Sequence, residues 1–310
     1  MKVFYNYIKN YFKEDFSLKT HLFIGIFLVC SIFANYYYGN LYHLYLRPYN
    51  HSFIGVLKLF GFFLFAFLFA NTVVSYFKKS NTKPIFNTKY MFFGIIGLFI
   101  TSLDTSYYLL KFHELFFTKD HEFYYFFKLC ASNLMSLFSV ITPLFIVYFS
   151  VKYFKPELYG LRLNGANIKP YFWLILLMIP LLYGATFSES FLDTYPSFNR
   201  SEFNNCDLPF WKKGVIYELC YGFDFLSVEL MFRGLMVVAL SRFVGKDALL
   251  PMVVCYAFLH FGKPLGETIG SVFGGYILGI VAYKSRNIYG GLIVHLGVAW
   301  GMELAAYLVV

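Results

Sequence analysis

Nine stretches of this chain are apolar over most of their length: roughly 20–40, 53–77, 90–110, 129–151, 171–187, 214–240, 248–262, 267–283 and 288–310. A helix crossing the hydrocarbon of a bilayer needs about 20 such residues. In lipid the backbone must satisfy its own hydrogen bonds, which a helix does and an open strand does not. Only 14% of the 310 residues are charged, against about 25% in a soluble domain. The expectation is an all-α, polytopic helical membrane protein with about nine transmembrane helices.

The formal net charge of +9 follows the loops. Lys2, Lys9, Lys13 and Lys19 precede the first run, and Lys78, Lys79, Lys83 and Lys89 follow the second. Lys152, Lys155, Arg162 and Lys169 follow the fourth, and Arg242, Lys246, Lys284 and Arg286 occupy two later turns. The intervening loops are poorer in positive charge, or balanced by Glu114, Asp120, Glu122, Glu189 and Asp193. Such alternation sets membrane orientation, with the N-terminus in the cytoplasm and the C-terminus outside. It makes a nucleic-acid partner unnecessary; the expected surroundings are a lipid bilayer, as a multi-pass protein of the cell membrane. The first run is followed by "ANYYYGN", with no small-residue cleavage site. It reads as an uncleaved span ending in an interfacial aromatic belt. Cys30, Cys130, Cys220 and Cys255 fall in spans and Cys206 in a loop, and no CxxC or Cys/His ligand spacing occurs.

The polar stretch 188–213 divides an aromatic-rich N-terminal region, 1–187, from the last four spans, 214–310. The first reads as scaffold or gate, the stretch as an extracytoplasmic loop. The last region holds Glu218, Asp224, Glu229, Arg233, His260, Glu267, His295 and Glu303. Ionisable residues in membrane spans are costly and face a cavity or one another, so any chemistry belongs to 214–310. In "SVELMFRG", Glu229 and Arg233 are four apart, one helical face. A pair that merely fixes packing is the plain alternative.

Depth brings the histidines to this pair. At 1.5 Å per residue, Glu229 lies roughly 16 Å from the inner end of its span, His260 roughly 18 Å and His295 roughly 10 Å. The seventh span, "ALLPMVVCYAFLHF", stops short at "GKPLG", and broken helices in membranes line cavities. Gly270, Gly274, Gly275 and Gly279 suit close helix packing. A carboxylate beside imidazoles activates water against a carbonyl. No GxSxG or HExxH motif is present. No cofactor is indicated, although two histidines and a glutamate could also hold a divalent metal such as zinc.

Three motifs in order resemble those of the CPBP family, intramembrane proteases that include the type II CAAX prenyl proteases and the bacteriocin-immunity (Abi) proteins. "VELMFRG" is similar to its EExxFRG segment, "YAFLH" to FxxxH, and "HLGVA" to HxxxN. The resemblance covers roughly 214–310. It implies an intramembrane endopeptidase of glutamic type, acting on a membrane-associated peptide or protein substrate that carries a lipid in some members. It also implies a site of Glu229, His260 and His295, with Arg233 orienting Glu229. The chain departs from the pattern at three places. Val228 stands where the family's first, water-activating glutamate is expected, Tyr256 replaces Phe, and Ala299 replaces the Asn of the third motif. Asp224, one turn before Val228, is the candidate reserve base, and Glu303, one turn beyond Ala299, is a second candidate. The alternatives are a catalytically impaired relative acting as a binding or maturation partner, and a proton-coupled carrier.

Overall fold

In the computed structural model, residues 2–78, 83–115, 123–154, 157–162, 168–198 and 208–309 are described. Lys79, Asp120, Glu122, Lys155, Cys206 and Val310, which carried expectations above, lie outside them. The described residues form helices and connecting turns, with no strand.

Five segments are long and apolar enough to cross a membrane. They are α2 (Leu18–Tyr37), α4 (Phe53–Phe77), the composite Tyr124–Ser150, α13 (Leu265–Ser285) and α14 (Tyr289–Val309). The composite consists of α6 (Tyr124–Leu134), a π-helical turn Leu137–Ile141, and α7 (Thr142–Ser150). Pro143 explains the interruption, because its ring cannot donate to the carbonyl one turn back. The other four expected spans are also helical, but do not meet the same length and apolarity. The α8 helix (Lys169–Ala185) has 17 residues, and α12 (Leu249–Leu259) only 11. Charged residues near its ends lower the hydropathy of α5 (Thr88–Thr105). Glu218, Asp224, Glu229 and Arg233 do the same for α10 (Phe210–Glu229) and its π-helical continuation Leu230–Ala239. The architecture is thus all-α and polytopic, with five such spans among the described residues.

The basic N-terminal stretch, expected only as a flank, is itself a helix, α1 (Lys2–Glu14). Thirteen residues cannot span a bilayer. Instead α1 packs Phe4, Tyr7 and Ile8 against the apolar cluster of Tyr171, Leu278, Val281 and Val294. Tyr11 turns inward and meets Tyr276 edge-on, with ring centroids 5.8 Å apart.

The centre of the bundle is α12. Its ten residues from Leu249 to Phe258 are all buried, sandwiched between α4 and α13. A helix apolar on every face needs such a position. Ion pairs gather the basic loops at one end. Lys78 pairs with Asp247, Arg242 with Glu157 at 3.2 Å, Arg286 with Glu157 at 2.6 Å, and Lys284 with Asp15 at 2.7 Å. These are loops that the charge pattern assigns to one face. A cavity of about 640 Å³ at this end is lined by Glu157, Arg242, Lys284 and Arg286, and by neither imidazole.

Candidate functional site

The helical spacing of Glu229 and Arg233 survives, although the backbone changes from α to π at Leu230. Arg233 lies 2.9 Å from Oε1 of Glu229, and both side chains are wholly enclosed. Such enclosure would be prohibitive for either charge alone and is tolerable only for the pair. A π-helical stretch winds wider than an α-helix and is frequent at functional sites. Here every residue from Leu230 to Ala239 is buried, so the segment faces protein all round. Gly234 is required where the segment passes Tyr159, because a Cβ there would lie 2.9 Å from the Tyr159 carbonyl oxygen.

His295 reaches this pair from α14. Its Nδ1 lies 3.0 Å from Oε1 of Glu229, and its Nε2 lies 3.3 Å from Oη of Tyr256. A side chain at Gly291, one turn before His295, would collide with Oε2 of Glu229, which is why that position carries none. His260 caps the end of α12, and its Nδ1 lies 2.8 Å from the backbone carbonyl of Tyr256. Tyr256 stands between the two imidazoles, with ring centroids 4.6 Å from His260 and 6.2 Å from His295. The Arg233 guanidinium lies over the same ring at 4.2 Å, a cation–π contact made strong by the dry surroundings.

These contacts assign protons. A carbonyl oxygen only accepts, so His260 donates from Nδ1 and keeps the Nε2 lone pair. Glu229, paired with Arg233, accepts from Nδ1 of His295, and in the neutral ring Nε2 is then an acceptor. Tyr256 then donates its hydroxyl proton to that nitrogen. Among the described residues, Glu229 Oε2 and the Nε and Nη2 of Arg233 find no hydrogen-bond partner.

The break after His260 is held by the N-terminal region. Asn35, at the end of α2, donates to the Phe261 carbonyl at 3.0 Å, and His43 lies 2.9 Å from the carbonyl of Gly262. Tyr36 donates to the Lys263 carbonyl at 2.6 Å, and Thr268 donates to that of His260 at 2.5 Å. Of the tyrosines in "ANYYYGN", only Tyr37 and Tyr38 are strongly exposed; Asn35 and Tyr36 turn inward to the break. Their asparagine and hydroxyl chemistry was visible in the sequence, but nothing local pointed to a target more than 200 residues away.

The remaining expected groups are engaged elsewhere. Asp224 is hydrogen-bonded by Ser136 and Ser227 and lies near Asp104 of α5. Glu303 accepts from the backbone N–H of Ser197 at 2.9 Å. Glu267 accepts from Tyr195 at 2.9 Å. Burial and that carboxylate together push the Tyr195 phenol far above its ordinary value. Neither Val228 nor Ala299 offers a polar side chain, and Ala299 is buried. Gly275 admits the Tyr256 ring and Gly279 admits Leu249 and Met252, whereas Gly270 and Gly274 face open space. Only half of the glycine stripe therefore serves packing. Among the described residues, no three His, Cys, Asp or Glu side chains converge as a metal cluster would.

Residues 222–301, which contain all three motifs, match the family model described as type II CAAX prenyl endopeptidase Rce1-like. No curated protein and no solved structure matches the chain. The family match supports membership of the CPBP family and, at family level, a CAAX-type intramembrane protease.

Proposed function

From the match of residues 222–301 to the type II CAAX prenyl endopeptidase family model we propose that this chain is an intramembrane endopeptidase of the cell membrane, hydrolysing a peptide bond in a membrane-associated, lipid-bearing substrate. One observation carries the reading: two imidazoles flank Tyr256 within the bundle, each with Nδ1 held by an acceptor, the Tyr256 carbonyl for His260 and Glu229 for His295. In the proposed reaction His260 Nε2 takes a proton from water as the oxygen attacks the scissile carbonyl. The proton then passes to the leaving amine. In this reading Glu229 acts through His295 rather than on water, since the side chain is enclosed and its Oε1 is shared by Arg233 and His295. Arg233 pairs with Glu229 and holds it in place. Asp224, hydrogen-bonded by Ser136 and Ser227, is given no step in this reading.

A second reading, a relative that binds a membrane partner without cutting it, draws on the absence of polar atoms at Val228 and Ala299. Reconstitution separates the two. The purified protein in liposomes is given prenylated and unmodified membrane peptides in H₂¹⁸O, and products are read by mass spectrometry. Wild type yields fragments with ¹⁸O in the new carboxylate, and His260→Ala yields none. A folded wild type that binds peptides and cuts none refutes hydrolysis in favour of binding. Equal cutting by His260→Ala refutes the proposed base.

A further inference from the structure

We propose that the Tyr256 hydroxyl is a catalytic group, the donor that stabilises the oxyanion formed during hydrolysis. The proposal rests on the hydrolytic reading above. Four observations on Tyr256 lead to it. Its Oη contacts Nε2 of His295, the only imidazole nitrogen of that residue not committed to Glu229. Its backbone carbonyl fixes Nδ1 of His260, so the hydroxyl is rigidly related to the proposed base. The ring is caged by Arg233, by Phe232 with centroids 5.1 Å apart, and by Gly275, where a Cβ would come within 2.8 Å. Finally, the guanidinium above the ring draws electron density from it and makes O–H a stronger donor. A preorganised donor of this kind costs no reorganisation at the moment of reaction.

The position is also singular in this sequence. The motif it resembles has Phe here, so the hydroxyl is one oxygen more than the pattern asks for. Ala299, one turn beyond His295 on α14, has no donor to offer. The hydroxyl lies beside His295 and supplies what Ala299 lacks.

In the step proposed, the water oxygen bonds to the carbonyl carbon, the carbonyl π pair moves onto oxygen, and the water proton goes to His260 Nε2. Tyr256 turns its O–H from His295 Nε2 to the oxyanion by rotation about the Cζ–O bond alone. The oxyanion then re-forms the carbonyl, the C–N bond breaks, and the nitrogen takes the proton from His260 Nε2. The phenol keeps its proton throughout and returns to His295.

The test is Tyr256→Phe in the liposome assay, beside His260→Ala. Phe preserves the ring under Arg233 and removes only the oxygen. Loss of an oxyanion donor lowers kcat by about 10²–10³-fold, with KM unchanged and melting temperature retained. A second form carries 3,5-difluorotyrosine at 256, isosteric but more acidic, and should move the alkaline limb of the kcat profile to lower pH. Wild-type kcat in Tyr256→Phe, with His260→Ala inactive, overturns the inference and leaves the hydrolytic reading standing. A raised kcat also overturns it, and shows that the hydroxyl merely caps His295. If Tyr256→Phe does not fold, an unmoved alkaline limb in the fluorinated protein overturns it. Failure of wild type to cleave overturns both readings.

Discussion

Glu229→Gln tests the energetic centre of the molecule. The substitution keeps size and one carbonyl oxygen but removes the charge. In the native protein that charge faces two donors, Arg233 at 2.9 Å and His295 Nδ1 at 3.0 Å, with no solvent at Glu229 or Arg233. Arg233 remains protonated after the change and is left without a counter-charge. Breaking a buried pair from one side costs about 3–5 kcal/mol, which lowers a melting temperature by on the order of 10 °C in a chain of this size class. A glutamine amide also donates, so it can turn its NH₂ toward His295 and force the proton onto Nε2. The analogous change beside a catalytic imidazole costs about 10⁴ in rate. Stability is read by thermal unfolding in detergent, and activity by peptide cleavage in liposomes. The control is Glu229→Gln combined with Arg233→Met, which removes the stranded cation and should recover most of the lost melting temperature, because paired apolar replacement of a buried ion pair is often neutral. It should recover none of the activity. A Glu229→Gln protein that melts with wild type refutes the buried pair. A double variant no more stable than the single shows that the loss does not come from an uncompensated guanidinium.

Gly275→Val pushes a side chain into the Tyr256 ring and should abolish cleavage, whereas Gly270→Ala, which meets nothing within 4 Å, should leave cleavage and melting unchanged. Asn35→Ala strands the Phe261 carbonyl and the backbone N–H of Tyr42, both partners of Asn35; a loss of about 1–3 kcal/mol is expected, seen as faster proteolysis near 260–264. The thiols of Cys130 and Cys220 interact directly across α6 and α10, so a mild membrane-permeant oxidant should join them while Cys255, buried alone among apolar residues, stays reduced by peptide mapping. Single cysteines at Arg162 and Asp193 should label from opposite faces of the membrane; labelling from one face refutes the charge-based topology.

Much of this molecule was written in short-range sequence. Apolar length specified helices in a bilayer, and loop charge predicted which turns gather at one end. Four-residue spacing joined Glu229 to Arg233, and "GKP" marked the end of α12. These are local rules: each depends on residues within one or two helical turns, where rise and side-chain direction are fixed by the backbone. The amphipathic α1 escaped because its partner, the lower half of α13, lies some 270 residues away. The roles within the site escaped for the same reason. Whether a carboxylate activates water or orients an imidazole depends on which atoms meet it, and Glu229 meets His295 only after α10 and α14 pack across Gly291. Asp224 had the right spacing for the site, but Ser136, just after α6, and Ser227 of α10 hydrogen-bond it. Asn35 and His43 hold the His260 break through contacts spanning more than 200 residues. Tyr256 read as a mild replacement of Phe, because its oxygen acquires meaning only where His295 Nε2 lies 3.3 Å away. Sequence determined the membrane, the helices and the candidate residues. Packing across distant helices decided which nitrogen, which oxygen and which charge face one another, because that geometry is set by the tertiary approach of segments with no local relation.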